Sequence, residues 1–275
     1  MNSNHFSDRM VTNDDLIITN KVSHEGVAPH GRLFEVLGTK NGRRIVREIA
    51  CNTVVVGGAV TALQNLTGES ASWQPSTLND VYGVSATPSG APLLSLFGVG
   101  IGGSNLDFGS VLATDIKQRD VLSPVPLRYG SEIATDEASN YFMKVPNASG
   151  NTSSWYLKKF SAPVVIKSCW KNAVSLEEDG TEILADIYNS ANTEGIETFA
   201  EIQIDLTKQD VREYFEKTGS ISSARYNTIG FYTGSLNAEG TEYGDVRLYS
   251  VIHFNNRDCT QESSSQFIYR VYSLI

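Results

Sequence analysis

The run Phe267-Ile-Tyr-Arg-Val-Tyr-Ser-Leu-Ile275 constrains the fold more than any other stretch of this chain. It is aromatic and β-branched, which reads as a strand. Alternation puts Phe267, Tyr269, Val271 and Ser273 on one face and Ile268, Arg270, Tyr272 and Leu274 on the other. Both faces are rich in large apolar groups, so both need cover, one from the same domain and the other from a second element or subunit. Tyr226-Asn-Thr-Ile-Gly-Phe-Tyr-Thr233 and Asp245-Val-Arg-Leu-Tyr-Ser-Val-Ile-His-Phe254 are strands in the same style. The C-terminal third is therefore an aromatic-rich β unit.

The rest of the chain supplies more strands and few helices. Leu33–Ile49 reads as two antiparallel strands around Asn41-Gly42, a pair suited to the positive φ angles of a tight hairpin turn. Leu93–Gly100, Tyr141–Val145, Ser154–Phe160 and Val164–Trp170 are strand candidates, and Val121–Tyr129 reads as an edge strand or connector because Pro124 and Pro126 cannot donate to a ladder. Thr198–Leu206 alternates, with Ala200, Ile202, Ile204 and Leu206 on one face and Phe199, Glu201, Gln203 and Asp205 on the other. Val55, Ala59, Ala62, Leu63 and Leu66 follow helical spacing, with Asn52 or Thr53 able to start the helix and Gly68 to end it. A strand over Thr53–Val56 competes with its first turn, and Gly57-Gly58 either weakens the helix or admits a close backbone. Thr207-Lys-Gln-Asp210 opens a second short helix as a capping box, closed by Gly219. Residues 1–30 read as an extended arm whose Leu16, Ile17 and Ile18 would lie against another subunit, or else as a loose tail. The fold class is thus mainly β, a β-sandwich or related β-rich domain over 31–275, with one or two short helices and an extended N-terminal arm.

Charge and cysteine usage narrow the function classes. The net charge is −9, and residues 171–220 carry 12 Asp and Glu against 4 Lys and Arg. A nucleic-acid binder needs a basic footprint, which this chain lacks. No window of 18 apolar residues occurs, so no membrane span is expected. Nor does the N-terminus have the pattern of a secretory leader. Cys51, Cys169 and Cys259 are too scattered for a disulfide framework and fit buried thiols in a reducing compartment.

Candidate chemistry is sparse. Gly98, Gly100 and Gly103 match a dinucleotide fingerprint, but the following Ser-Asn-Leu-Asp is turn-like where a helix should begin. The competing reading is a glycine-rich bend between closely packed chains. His24, Glu25 and His30 have poor metal spacing, and His253 sits in a strand. Glu177-Glu178-Asp179-Gly180 lacks calcium-loop spacing. No G-x-S-x-G elbow places a nucleophile. No cofactor, metal or enzymatic activity is expected. The aromatics Tyr226, Phe231, Tyr232, Tyr243, Tyr249, Phe254, Phe267, Tyr269 and Tyr272 either build core and subunit interface or line a sugar-binding face.

Pro92–Gly109, Pro126-Leu-Arg-Tyr129, Tyr226–Thr233, Gly244–Asn256 and Tyr269-Arg-Val-Tyr272 together resemble virion structural proteins of tailed bacteriophages, especially tail, baseplate and neck components. The resemblance covers roughly residues 90–275 and lies in strand phrasing, with no catalytic residue to carry over. It implies a homo-oligomer in a symmetric particle, made in the host cytoplasm, whose partners are other virion proteins and copies of itself. Leu16, Ile17, Ile18, Tyr249, Tyr269 and Tyr272 are the interface candidates. A glycan-binding β-sandwich, also on a virion, is the alternative, and an enzyme comes third.

Overall fold

The computed structural model describes residues 16–18, 30–40, 43–103, 124–130, 133–148, 150, 152–170, 196–259 and 264–273. Among the described residues the chain is mainly β, its strands mostly antiparallel, with a few short helices. It separates into two compact units, where the sequence alone suggests one body over 31–275. The first combines Met1–Cys51, Ser161–Asp205 and Ser265–Ile275, and the second Asn52–Phe160 and Leu206–Ser264.

The first unit holds β1 (Leu16–Ile18), β2 (His30–Lys40), most of β3 (Arg43–Val54), β8 (Val165–Trp170), nearly all of β9 (Ile196–Leu206) and β12 (Ser265–Ser273). Their order across the sheet is β3-β2-β12-β9-β8. Two residues join the neighbours β2 and β3, as in the expected hairpin, and those two lie outside the described residues. β1 runs parallel to β3, pairing Leu16 with Arg44 and Ile18 with Val46. The part of the expected arm that is described is thus hydrogen-bonded to its own chain. Phe267, Ile268, Tyr269 and Arg270 are all at most 2% exposed, so β12 is covered on both faces. Phe34, Val46, Phe199, Ile268 and Tyr272 pack together in its core.

The second unit holds α1 (Val56–Thr67), α2 (Leu78–Tyr82), β4 (Leu93–Gly100), β5 (Arg128–Tyr129), α3 (Thr135–Ala138), β6 (Tyr141–Pro146), β7 (Ser153–Lys159), α4 (Arg212–Lys217), a 3₁₀ turn at Ile221–Ser223, β10 (Arg225–Leu236) and β11 (Tyr243–Asp258). Its strand order is β5-β7-β4-β10-β11, and the end of β3 joins β11 through Thr53↔Val251 and Val54↔Ser250. β6 pairs with β7. β5 is short and paired with β7, and Val125 makes a single bridge to Val99, as expected of a Pro-limited edge. The core gathers Leu96, Phe142, Leu157, Tyr232, Val246 and Val251.

Helix α1 forms where its spacing predicts but starts differently. Asn52 and Thr53 belong to β3, and the N-cap is Val55, whose N–H donates to the Tyr249 carbonyl at 3.1 Å. Gly68 ends the helix with φ 74°. The helix also packs with the opposite face. Gly57, Gly58 and Thr61 are buried, while Ala59 and Ala62 are exposed. A Cβ at Gly58 would collide with the Tyr249 carbonyl, so the glycine pair serves close approach to β11, and that approach selects which side turns inward.

Candidate functional site

Two buried charge clusters, one in each unit, hold most of the ionisable chemistry that the described residues present. In the first unit the Glu201 carboxylate lies on β9 and Arg270 on β12. Arg270 donates to Glu201 Oε2 at 3.1 Å from both Nε and Nη2. Arg44 Nη2 and Lys167 Nζ reach Oε1 at 3.2 and 3.4 Å. The Arg270 guanidinium also stacks between rings, 4.8 Å from Phe34 and 5.1 Å from Phe199. Burial alone would raise the Glu201 pKa, but Arg270, Lys167 and Arg44 outweigh it and hold the carboxyl below its ordinary range. Alternation places Glu201 beside Phe199 on the face read as the polar side of β9. On that face Arg270 of the neighbouring strand β12 pairs with Glu201 and makes the face habitable for a carboxylate.

In the second unit, Asp210 lies just before α4. Its Oδ1 accepts from the Tyr141 hydroxyl at 2.7 Å. Its Oδ2 accepts from Lys158 Nζ at 2.8 Å and from the Thr207 N–H at 2.7 Å. The last contact is half of the expected capping box, but α4 begins later, at Arg212. Between them Val211 adopts φ 67°, ψ −48°, and the Arg212 N–H donates to the Asp210 carbonyl at 2.8 Å. This is a γ-turn of the strained, positive-φ kind, here built on a fully buried β-branched residue. Burial, then the Asp210 charge, pushes the Tyr141 phenol pKa up. Arg128 extends the network, donating to Glu213 at 2.5 Å and Glu137 at 3.2 Å, with its guanidinium 5.5 Å from the Tyr141 ring. The acceptors of Asp210 are spent on positioning the chain before α4, which leaves it a structural carboxylate.

The glycine motif serves the strand packing. Gly98 and Gly100 are inside β4, paired with Gly230 and Thr228 of β10. A Cβ on Gly98 would crowd Leu157, and one on Gly103 would collide with Asn227 and Thr228. Asn227 is fully buried and saturates its amide. Oδ1 accepts from the Gly103 N–H at 2.7 Å and the Thr228 hydroxyl at 3.1 Å, and Nδ2 donates to the Ile101 carbonyl at 3.2 Å and Asn256 Oδ1 at 2.8 Å. His253 Nδ1 lies 3.1 Å from the Thr228 hydroxyl, and burial lowers its pKa.

Two depressions open on the second unit. One, of about 360 Å³, is bordered by Ile133, Thr152 and the Lys144–Trp155 pair, whose amine lies 5.4 Å from the ring. The other, of about 770 Å³, is polar and bordered by Asn79, Asp80, Asp245 and Arg247. Its polar groups are engaged in the fold. Asn79 donates to the carbonyls of Val84 and Tyr243 and accepts from the Val246 N–H, and Arg247 binds Asp245 and Gln74.

The interface candidates separate. Leu16, Ile17 and Ile18 are in β1, and their side chains lie outside the described residues. Tyr269 is fully buried and Tyr272 is 6% exposed, with its ring 5.3 Å from Phe199 and beneath the Arg32 guanidinium at 5.0 Å, so both are core of their own unit. Tyr249 is half-buried on β11. The other aromatics proposed for a sugar face, Tyr226, Phe231, Tyr232, Tyr243, Phe254 and Phe267, are all buried, which removes them as an exposed platform. His24, Glu25 and residues 177–180 lie outside the described residues, as do the side chains of His30, Cys51 and Cys169. Cys259 is a half-buried free thiol whose pKa burial pushes up to about 12. Among the described residues no group of three His, Cys, Asp or Glu could hold a metal, and no helix is long and apolar enough to cross a membrane. Sequence reading missed Arg270 and Asp210 as pivots. The signal for Arg270 was a lone charge in a strand apolar on both faces.

The outward surface of α1 is the feature that stands apart. Val56 is 40% exposed, Leu63 59% and Leu66 81%. The helix carries no charged residue. Asn65 Nδ2 donates to the Pro92 carbonyl at 2.6 Å, which places Leu93, 63% exposed, beside the last turn. Family models, curated proteins and solved structures all return no match for this chain.

Proposed function

We propose that this chain is a structural component of a tailed-phage virion, in the tail, baseplate or neck, acting through contacts with copies of itself and with other virion proteins. The observation that carries the reading is the apolar, uncharged face that α1 turns to solvent. Contiguous exposed apolar surface of this kind marks an interaction site. The two charge clusters support the same reading, because Glu201 and Asp210 use their acceptors on their own chain. Catalysis, cofactor, nucleic acid and membrane have no part in the proposal. The resemblance of its strand phrasing to virion structural proteins, over roughly residues 90–275, suggests the kind of assembly. The test is quantitative mass spectrometry of purified particles from the producing culture. We expect this chain at a fixed copy number relative to the other particle proteins. Recovery only in the soluble lysate would overturn the reading.

A further inference from the structure

We propose that α1 pairs with α1 of a second copy of this chain, antiparallel and around a two-fold axis. The inference rests on the reading of the protein as one that assembles with itself, and it names the surface.

Val56, Ala59, Leu63 and Leu66 are spaced three, four and three residues apart, the a/d seam of a helix that meets another helix. All four are exposed. The order of sizes selects the partner. In an antiparallel pair centred on residue 61, Val56 faces Leu66 of the copy and Ala59 faces Leu63. Large then meets smaller at every layer, which fills the seam. A parallel pair would set Ala59 against Ala59 and leave a gap. Antiparallel helices also oppose their dipoles favourably. The seam is therefore complementary to itself when reversed.

Charge points the same way. Each copy carries −9 overall, so most approaches of one copy to another are opposed. From Thr53 to Gly68 no residue is charged, and the seam is a place where two copies meet without that cost. The flanking Gln64, Asn65 and Thr67 are polar and neutral.

Three turns of helix span about 18 Å. A contact confined to one seam of so short a helix is smaller than the roughly 800 Å² per partner of a standard stable interface. The isolated pair should therefore be weak, with a dissociation constant on the order of 10 μM to 1 mM. Repetition around a closed symmetric assembly would strengthen it by raising effective concentration.

The test uses the full chain. Sedimentation between about 10 μM and 1 mM, a range set by that expected affinity, should show a monomer–dimer equilibrium. Leu63→Glu should weaken it tenfold or more with an unchanged circular dichroism spectrum, while Leu63→Met keeps it. Disulfide trapping tests the alignment. Val56→Cys mixed with Leu66→Cys should cross-link above the background of the unaltered chain, and neither variant alone should do so. In the antiparallel pair the two Val56 positions are separated by roughly 15 Å along the axis. Cross-linking of each variant with itself would indicate a parallel pair and overturn the proposal. A chain that stays monomeric at 1 mM and does not cross-link in the mixture would overturn it too, and would leave the face to a different protein. Presence in particles at fixed copy number with no pairing would sink only the α1 pairing. Pairing by a chain absent from particles would sink only the virion reading.

Discussion

Glu201 in the first unit and Asp210 in the second are both buried carboxylates, but they are held by different sets of partners. Glu201 has three cations within 3.4 Å, one of them stacked between two rings. Asp210 has one ammonium, one phenol and one backbone N–H. The first is a charge-dominated site, in which removal of the central cation strips both ion pair and packing. The second shares its load among hydrogen bonds, and single losses there leave other partners in place. Buried charge therefore holds each unit together with a different sensitivity to change.

Mutation of the central cation should separate the two sites most. Arg270→Ala removes two contacts to Glu201 and both ring stacks, and breaking a buried pair of this kind costs roughly 3–5 kcal/mol. Urea unfolding followed by signals from the first unit should show that loss, and a cost below about 1 kcal/mol would mean Arg44 and Lys167 carry the site without it. The same cluster sets a pH dependence. The Glu201 pKa is lower folded than unfolded, so its contribution is fully present above the ordinary Glu value, about 4.3. It is lost as pH falls through the lower folded value. The stability gap between the native chain and Glu201→Gln should accordingly narrow on acidification below that value, and a gap that widens there would reverse the assigned sign.

Asp210→Asn is the next largest test. It keeps the shape and removes the counter-charge of Lys158, for roughly 2–3 kcal/mol. Tyr141→Phe should cost less, about 1–2 kcal/mol, because Asp210 Oδ2 keeps its other donors. Equal losses for the two variants in thermal melts would break the claim that this site distributes its load.

The strands were readable because their alternation and β-branched content act locally. Tyr226–Thr233, Asp245–Phe254 and Thr198–Leu206 all lie in strands β10, β11 and β9. The buried clusters were not readable, because their members meet across distances of 69 residues for Glu201–Arg270 and 52 for Lys158–Asp210. The α1 helix marks a third case. Its spacing was legible, but its inward face was decided by how near β11 can come to Gly58, a steric fact invisible to a hydrophobicity pattern.

The position of β12 between β2 and β9 has a consequence for synthesis. β2 is translated well before β9, and both precede Ser265–Ser273. At about 5–20 residues per second, the interval from β2 to β12 is roughly 10–45 s. For that interval β2, joined in its last part by β9, exists without the neighbour that the two will flank, and each presents an open hydrogen-bonding edge. The first unit can therefore close only after translation has nearly reached the last described strand. A prematurely terminated chain would lack the staple that joins β2 to β9, and the cell would meet it as an aggregation substrate, never as a folded protein.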